Sequence, residues 1–190
     1  LPASISPITM AGVVDVERVA VVGDNSATGE HAVAVGLGPG PFTGLRVGIV
    51  TAWTIASVLG VPPRGVCSLD VVARQWTRRG APSEFVVASD ARRKELYWRR
   101  YLADGSPAGD PQVSAPDHLP GLTVVGTVPE QLAAQLHSHL IVERKLDPGT
   151  LAAKWRTLEP AGEEPYYLRA PDATVPGARK SALPRLRASR

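Results

Sequence analysis

Reactive and cross-linking chemistry is scarce in this chain: its 190 residues include one cysteine, Cys67, one methionine, four histidines and only 5% aromatics. A single thiol excludes an internal disulfide and any cysteine-rich metal site, which fits a reducing compartment. The first residues lack a basic start followed by a continuous apolar core, and no run is read as approaching membrane-spanning length. The expectation is a soluble, cytoplasmic protein with no membrane partner. Hydrolase and kinase signatures are missing too: there is no His-Glu-x-x-His, no Gly-x-Ser-x-Gly and no lysine closing a glycine loop. His137 and His139 stand one residue apart at an expected helix end, where their side chains diverge instead of sharing a metal. No catalytic residue and no metal ligand is therefore assigned, and Cys67, in an apolar crossover, reads as core.

Charge is nearly balanced. The formal excess is +3, but the last thirteen residues hold Arg179, Lys180, Arg185, Arg187 and Arg190 with no acid. Without those five, the 21 basic residues fall to 16 against 18 acids, so the basicity belongs to a tail and not to the body. Such a tail, residues 178–190, reads as a solvated end or as an arm that touches RNA phosphates through Arg179, Lys180 and Arg185.

What is present centres on residues 36–48. Ala32-Val33-Ala34-Val35 is apolar without alternation, the mark of a short strand buried on both faces. It stops at Gly36-Leu37-Gly38-Pro39-Gly40-Pro41-Phe42-Thr43, where glycines open backbone angles, prolines fix theirs and an apolar helix begins. The first amides of that helix point back at the turn, so Gly38, Gly40 and Thr43 are candidates for contact with an anion or nucleotide, beside the plain reading of a structural turn. Along residues 44–59, Leu45, Ile49, Ala52, Ala56 and Leu59 make one buried stripe. Val47, Val50, Trp53, Ile55 and Val58 carry apolar character round much of the remaining surface. A helix apolar on two sides needs two things to pack against: the sheet, and either a second subunit or another helix of the same chain.

The rest of the chain reads as follows. Residues 8–14 and 18–22 form a hairpin, residues 61–65 a short crossover, and Ser68 caps a helix over 69–78 with Asp70 in its first turn. Gly80-Ala81-Pro82 marks a boundary. Strands over 84–89 and 95–102, a loose stretch over 104–120, a strand over 122–126, a helix over 129–140 and another from Asp147-Pro148 to about residue 158 complete it. This order implies an α/β protein of two similar lobes: residues 1–80, then 81–160, a closing segment 161–177 and the tail. Asp90-Ala91-Arg92-Arg93-Lys94-Glu95 joins two strands as a charged turn, either a solvated hairpin or a contact for a partner or tRNA through Arg92, Arg93 and Lys94. Trp98, on the same strand face as Leu96, reads as lobe core.

Several of these segments are spelled specifically. Gly38-Pro39-Gly40-Pro41-Phe42-Thr43-Gly44-Leu45-Arg46-Val47-Gly48, Gly60-Val61-Pro62, Gly65-Val66-Cys67-Ser68-Leu69-Asp70, residues 90–98, and Tyr166-Tyr167-Leu168-Arg169-Ala170-Pro171-Asp172-Ala173 together resemble the bacterial tRNA threonylcarbamoyladenosine biosynthesis family TsaB, also called YeaZ. The likeness is close over residues 32–101 and resumes at 166–173. It implies an actin-like ATPase fold (ASKHA, ribonuclease-H-like) with two small lobes. It also implies a non-catalytic scaffold that supports the paralogous transferase TsaD, with the small ATPase TsaE completing the complex and TsaC supplying the threonylcarbamoyl-adenylate donor. ATP and a metal would be used by the partner subunits and no cofactor by this chain; tRNA would be met indirectly, and the protein alone would form a homodimer. The interface would lie on Phe42, Thr43, Arg46, Val47, Val50, Trp53 and Thr54.

Two departures from the family pattern stand out. A helix-sized segment expected between His31 and Ala32 is missing. Ala3 also takes the place of the acid that, in actin-like ATPases, helps hold metal and phosphates, which argues against ATP chemistry here. An ATP-dependent phosphotransferase using the Gly-Pro-Gly turn as a phosphate cradle is the alternative function, and a metallopeptidase is disfavoured.

Overall fold

The structure, a computed structural model, describes residues 21–25, 30–78, 80–138 and 140–169. The expected strand over 8–14, the Ala3 region and the basic tail with Arg179, Lys180 and Arg185 lie outside the described residues.

Strands β1 (Val21–Asn25), β2 (Glu30–Gly36) and β3 (Pro63–Val66) make one sheet in that order, with β1 antiparallel and β3 parallel to β2. His31 and Ala32 are successive rungs of β2, opposite Asp24 and Gly23. At the point where the family resemblance places a helix, this strand simply continues. Helix α1 (Phe42–Leu59) links β2 to β3, and its last turn is closed by Gly60, whose N–H donates to Ala56 and Ser57. The parallel crossover requires such a helix.

Helix α2 (Ser68–Thr77) leads to the second sheet, built from β4 (Phe85–Asp90), β5 (Leu96–Tyr101), β6 (Gln112–Ser114), β7 (Thr123–Thr127) and β8 (Ile141–Glu143). Its order is β6-β5-β4-β7-β8: an antiparallel meander on one side of β4 and two parallel strands on the other. Helix α3 (Glu130–Ala133) joins β7 to β8, and α4 (Pro148–Lys154) returns to the first sheet.

Burial explains the apolar runs. One face of β2 (Val33, Val35) and Leu37 pack on Ala52 and Ala56 of α1, while Ala32 and Ala34 pack on Val71 of α2 and on Leu151 and Trp155. The same holds for β4. Phe85 and Val87 meet Leu69, Val72 and Ala73 of α2, and Val86 and Ala88 meet Leu119 and Leu132 beyond the other face. The result is a stack of alternating layers in which α2 lies between the two sheets.

Several expectations need correction. The N-cap of α2 is Cys67, not Ser68, and no side chain caps it. Helix α3 is one turn, not residues 129–140, because Ser138 forms a local loop with Leu140: its hydroxyl donates to the Leu140 carbonyl at 2.8 Å and accepts the Leu140 N–H at 3.2 Å. Helix α4 ends at Lys154 and tightens to a 3-10 turn over Trp155–Thr157. Strands β6 and β8, three residues each, were not anticipated. Neither was the apolar length of α1: its 18 residues, mean hydropathy 1.5, meet the length and composition of a membrane-spanning helix, about 27 Å at the helical rise. Its inner face is instead sealed against β2 by Leu45, Gly48, Ala52 and Ala56.

One glycine is indispensable to the second sheet. Gly126 in β7 has φ +142 and lies opposite Ala88 of β4, whose carbonyl oxygen a Cβ at this position would strike. Gly126→Ala is expected to destabilise the fold by at least about 2 kcal/mol in urea denaturation; stability within 0.5 kcal/mol of wild type, on the order of a surface change, would contradict this packing.

Candidate interaction face and cleft

The glycine-proline turn is latched from two directions. Gly38, at φ +98 and followed by a cis bond to Pro39, donates its N–H to Ser68 Oγ at 3.2 Å, and its carbonyl accepts the Ser68 N–H at 2.7 Å. Leu37 accepts the Tyr166 N–H at 2.8 Å. A side chain at Gly38 would crowd Leu45 Cδ2, so the helix start and the turn fit only without one. Ser68 therefore serves as a latch on the turn. Of the three candidates for anion contact, Gly38 already spends its N–H inside the protein; Gly40 and exposed Thr43 sit at the mouth of α1.

From this turn α1 presents one face outward. Phe42, Thr43, Arg46, Val47, Val50 and Thr54 are exposed, with Val47 at 51% and Val50 at 65%, and Val58 extends the strip at 80%. Trp53 is not part of that face: it is half-buried and packs with Ile49 against the Val33, Val35 and Ala52 cluster. The N-terminal end of the face is pinned by the closing segment. Arg46 Nε donates to Tyr167 Oη at 3.3 Å, its guanidinium lies 4.5 Å from the Phe42 ring centre, and the Phe42 and Tyr167 rings are 5.2 Å apart.

The same segment reaches the second sheet. Arg169 Nη1 donates to the Ala91 carbonyl at 3.0 Å and its other Nη pairs with Glu95. These residues hold the β4–β5 turn, in which Arg92, Arg93 and Lys94 all adopt left-handed backbone, at φ 63, 53 and 62. Asp90 stabilises this unusual run by accepting the Arg92 N–H at 2.8 Å and pairing with the Arg92 guanidinium at 3.2 Å. The three segments singled out in the sequence, residues 38–48, 90–95 and 166–169, thus meet at one place, around a cavity of about 340 Å³ lined by Pro41, Phe42, Arg92, Tyr97, Tyr166 and Arg169. Trp98 lies partly buried in the second-sheet core, where its Nε1 donates to Ser114 Oγ at 2.9 Å.

Between the sheets, α2 carries a buried ionic cluster. Asp70 and Arg99 are 6% and 9% exposed, and Arg99 Nη1 donates to both Asp70 carboxylate oxygens at 3.0 and 3.2 Å. Tyr101 donates its hydroxyl to Asp70 at 2.6 Å, and Arg99 Nε donates to the Gly109 carbonyl at 2.8 Å. Burial pushes the Asp70 carboxyl up from its ordinary value, opposed by the Tyr101 hydrogen bond and the Arg99 charge. Burial, then the Asp70 charge, pushes the neighbouring Cys67 thiol up to about 12, so the thiolate chemistry of a reactive cysteine is suppressed. Asp70 had been read as a first-turn charge favoured by the helix dipole; its place in this cluster has no sequence signal, because Arg99 and Tyr101 lie on a distant strand. Among the described residues no three metal-ligating side chains are gathered.

A sequence model of the TsaD family, tRNA N6-adenosine threonylcarbamoyltransferase, matches residues 26–150. The TsaB proteins of Escherichia coli and of a Buchnera aphidicola subspecies are 36% and 32% identical over 89 and 74 residues, covering 38% and 35% of their lengths and 47% and 39% of this chain. The structure of YeaZ from Pseudomonas aeruginosa superposes with a TM-score of 0.58 at 25% identity, covering 72% of this chain and 74% of that one. The chain belongs to the TsaB (YeaZ) family. An uncharacterized protein of Mycobacterium tuberculosis is 42% identical over 145 residues, 75% of this TsaB-family chain. The chain spans 65% of the length of that mycobacterial relative. The fold is thus that of the actin-like, ribonuclease-H-like class to which YeaZ belongs, here with β1 paired directly to β2.

The buried pair yields a clear expectation. Asp70→Ala leaves Arg99 without a counter-charge between the sheets and should cost about 3–5 kcal/mol in denaturant unfolding, while Asp70→Leu combined with Arg99→Met should cost far less than the sum of the single changes. Additive single and double costs would show that the two groups do not form one unit.

Proposed function

We propose that this chain is a non-catalytic subunit of the machinery that installs threonylcarbamoyl on the tRNA adenosine beside the anticodon, and that it acts by binding a TsaD partner through the outer face of α1. The observation that carries the reading is that face: a helix whose inner stripe is satisfied by its own sheet while Val47, Val50 and Val58 stand in solvent, beginning at the point where the three family segments meet. Exposed aliphatic side chains along one helix, rimmed by Arg46 and threonines, suit a partner of like shape. A second copy of this chain would use an overlapping surface when TsaD is absent. TsaE would join through the complex, and the ATP and metal of the reaction would belong to the partner subunits. The cations Arg92, Arg93 and Lys94, at the tip of the β4–β5 turn, and the basic tail are the groups placed to meet tRNA.

The phosphate-cradle alternative is weakened by the use of Gly38 N–H within the fold and by the two prolines, which offer no donor. In this account Trp53 supports α1 from within, so a charge there would disturb the core as well as any interface.

Light scattering of the purified chain, alone and mixed with its TsaD counterpart, tests the reading. Val50→Glu should abolish association in both cases, because a carboxylate at an interface centre loses hydration without gaining a partner. Its melting temperature should stay within about 2 °C of wild type, as befits a surface position. Unchanged complexes with Val50→Glu would contradict the assignment of α1.

A further inference from the structure

We propose that the cavity at the carboxyl ends of β4, β7 and β8 is a binding site for a small organic anion, with Arg144 as its principal anchor and Ser89 and Arg92 as companions. The place itself is favoured by topology. In the order β6-β5-β4-β7-β8 the chain leaves β4 in one direction to build the meander and reaches its other edge later through β7, so the strand ends at β4 and β7 open a crevice of the kind in which α/β sheets bind ligands. A cavity of about 400 Å³ occupies that crevice, within the size range of small-molecule sites.

Its walls divide by chemistry. Pro41, Leu69, Val72, Val128 and Leu146 give an apolar side. Opposite them stand Ser89, Arg92, Thr127, Arg144 and Lys145, with Asp90 as the sole acid. Asp90 is already committed to the Arg92 backbone and guanidinium, so its charge does not serve Arg144 or Lys145.

Two polar atoms in this wall are buried without a hydrogen-bond partner: Ser89 Oγ and Arg144 Nε. An unpaired buried donor is costly, most of all on a cation, and both belong to residues that line the same cavity. Arg144 is nevertheless held in place. Its N–H donates to the Gly126 carbonyl at 2.9 Å and its carbonyl accepts the Thr127 hydroxyl at 3.4 Å. At the rim, Arg92 opens a run of three left-handed residues that a glycine would accommodate without strain; such strain, kept where cations face a cavity, is characteristic of ligand sites. A cationic and hydroxyl wall facing an apolar one suits a ligand with a phosphate or carboxylate head and an apolar body. The cavity lies apart from the α1 face, so this site and the partner reading stand or fall separately.

The test is an NMR titration of the full chain with phenyl phosphate, benzoate and benzyl alcohol as phosphate, carboxylate and neutral probes. At least one anion should saturate, moving the amides of Ser89, Gly126 and Thr127, and the difference between the two anions identifies the head group. Arg144→Gln should weaken that binding about ten- to a hundredfold. Because Arg144 is half-buried, Arg144→Met is melted without ligand as a second measurement; with its Nε unpaired, the variant should unfold no lower than wild type. The proposal is overturned if neither anion saturates, if benzyl alcohol binds as well as the anions, if the shifted amides lie elsewhere, or if Arg144→Gln binds with unchanged affinity.

Discussion

The rest of the structure depends on burying a helix that carries charge. Residues 68 to 73, most of the first two turns of α2, are all buried, with a sheet on either side, and Asp70 is among them. A carboxylate in that position is tolerable only because Arg99 and Tyr101, both on β5, bring it a counter-charge and a hydroxyl. That requirement couples the two sheets: the helix that follows the first is fastened to the meander of the second by one ionic cluster, while Ser68, two residues earlier, fastens the same helix to the glycine-proline turn. Asp70 and Ser68 together make α2 the member through which a shift of either sheet would be felt by the other.

With α2 occupied in this way, α1 is left with a free side. Its inner stripe covers β2 and its outer strip has no partner among the described residues, while Tyr167 and Phe42 fix the angle at which the strip begins. The TsaB family motifs gain a physical meaning here. The glycine-proline turn, the Asp90–Glu95 turn and the closing tyrosines are distant in sequence but share hydrogen bonds and ion pairs at one corner of the molecule. They build the support for a face, and the face is where the proposed function resides.

Much of the frame was legible before the fold was seen. The unalternating Ala32–Val35 run, the punctuated turn, the following helix and the strands at β4, β5 and β7 carry strong local signals, and each formed within a few residues of its expected bounds. Beyond those, the signal is non-local. Strands β6 and β8 are too short to show a period and exist because β5 and β7 offer edges to pair with. Helix α2 looked like an ordinary surface helix, since Asp70 and Arg74 give it polar character, and only the arrival of Arg99 reveals it as the most enclosed element. Trp53 sits one position beside the buried stripe of α1, near enough to turn inward, so periodicity alone assigned it to the wrong side. Ser89 and Arg144 meet only through the pairing of β4, β7 and β8, a juxtaposition no motif announces.

Hydrogen–deuterium exchange of the chain with and without TsaD tests the central claim that a body fixed around α2 presents α1 to a partner. The account predicts new protection from Val47 through Val58 and little change in α2, which is already enclosed. Protection confined to other surfaces, or an α2 whose amides exchange as freely as those of an exposed helix, would contradict it.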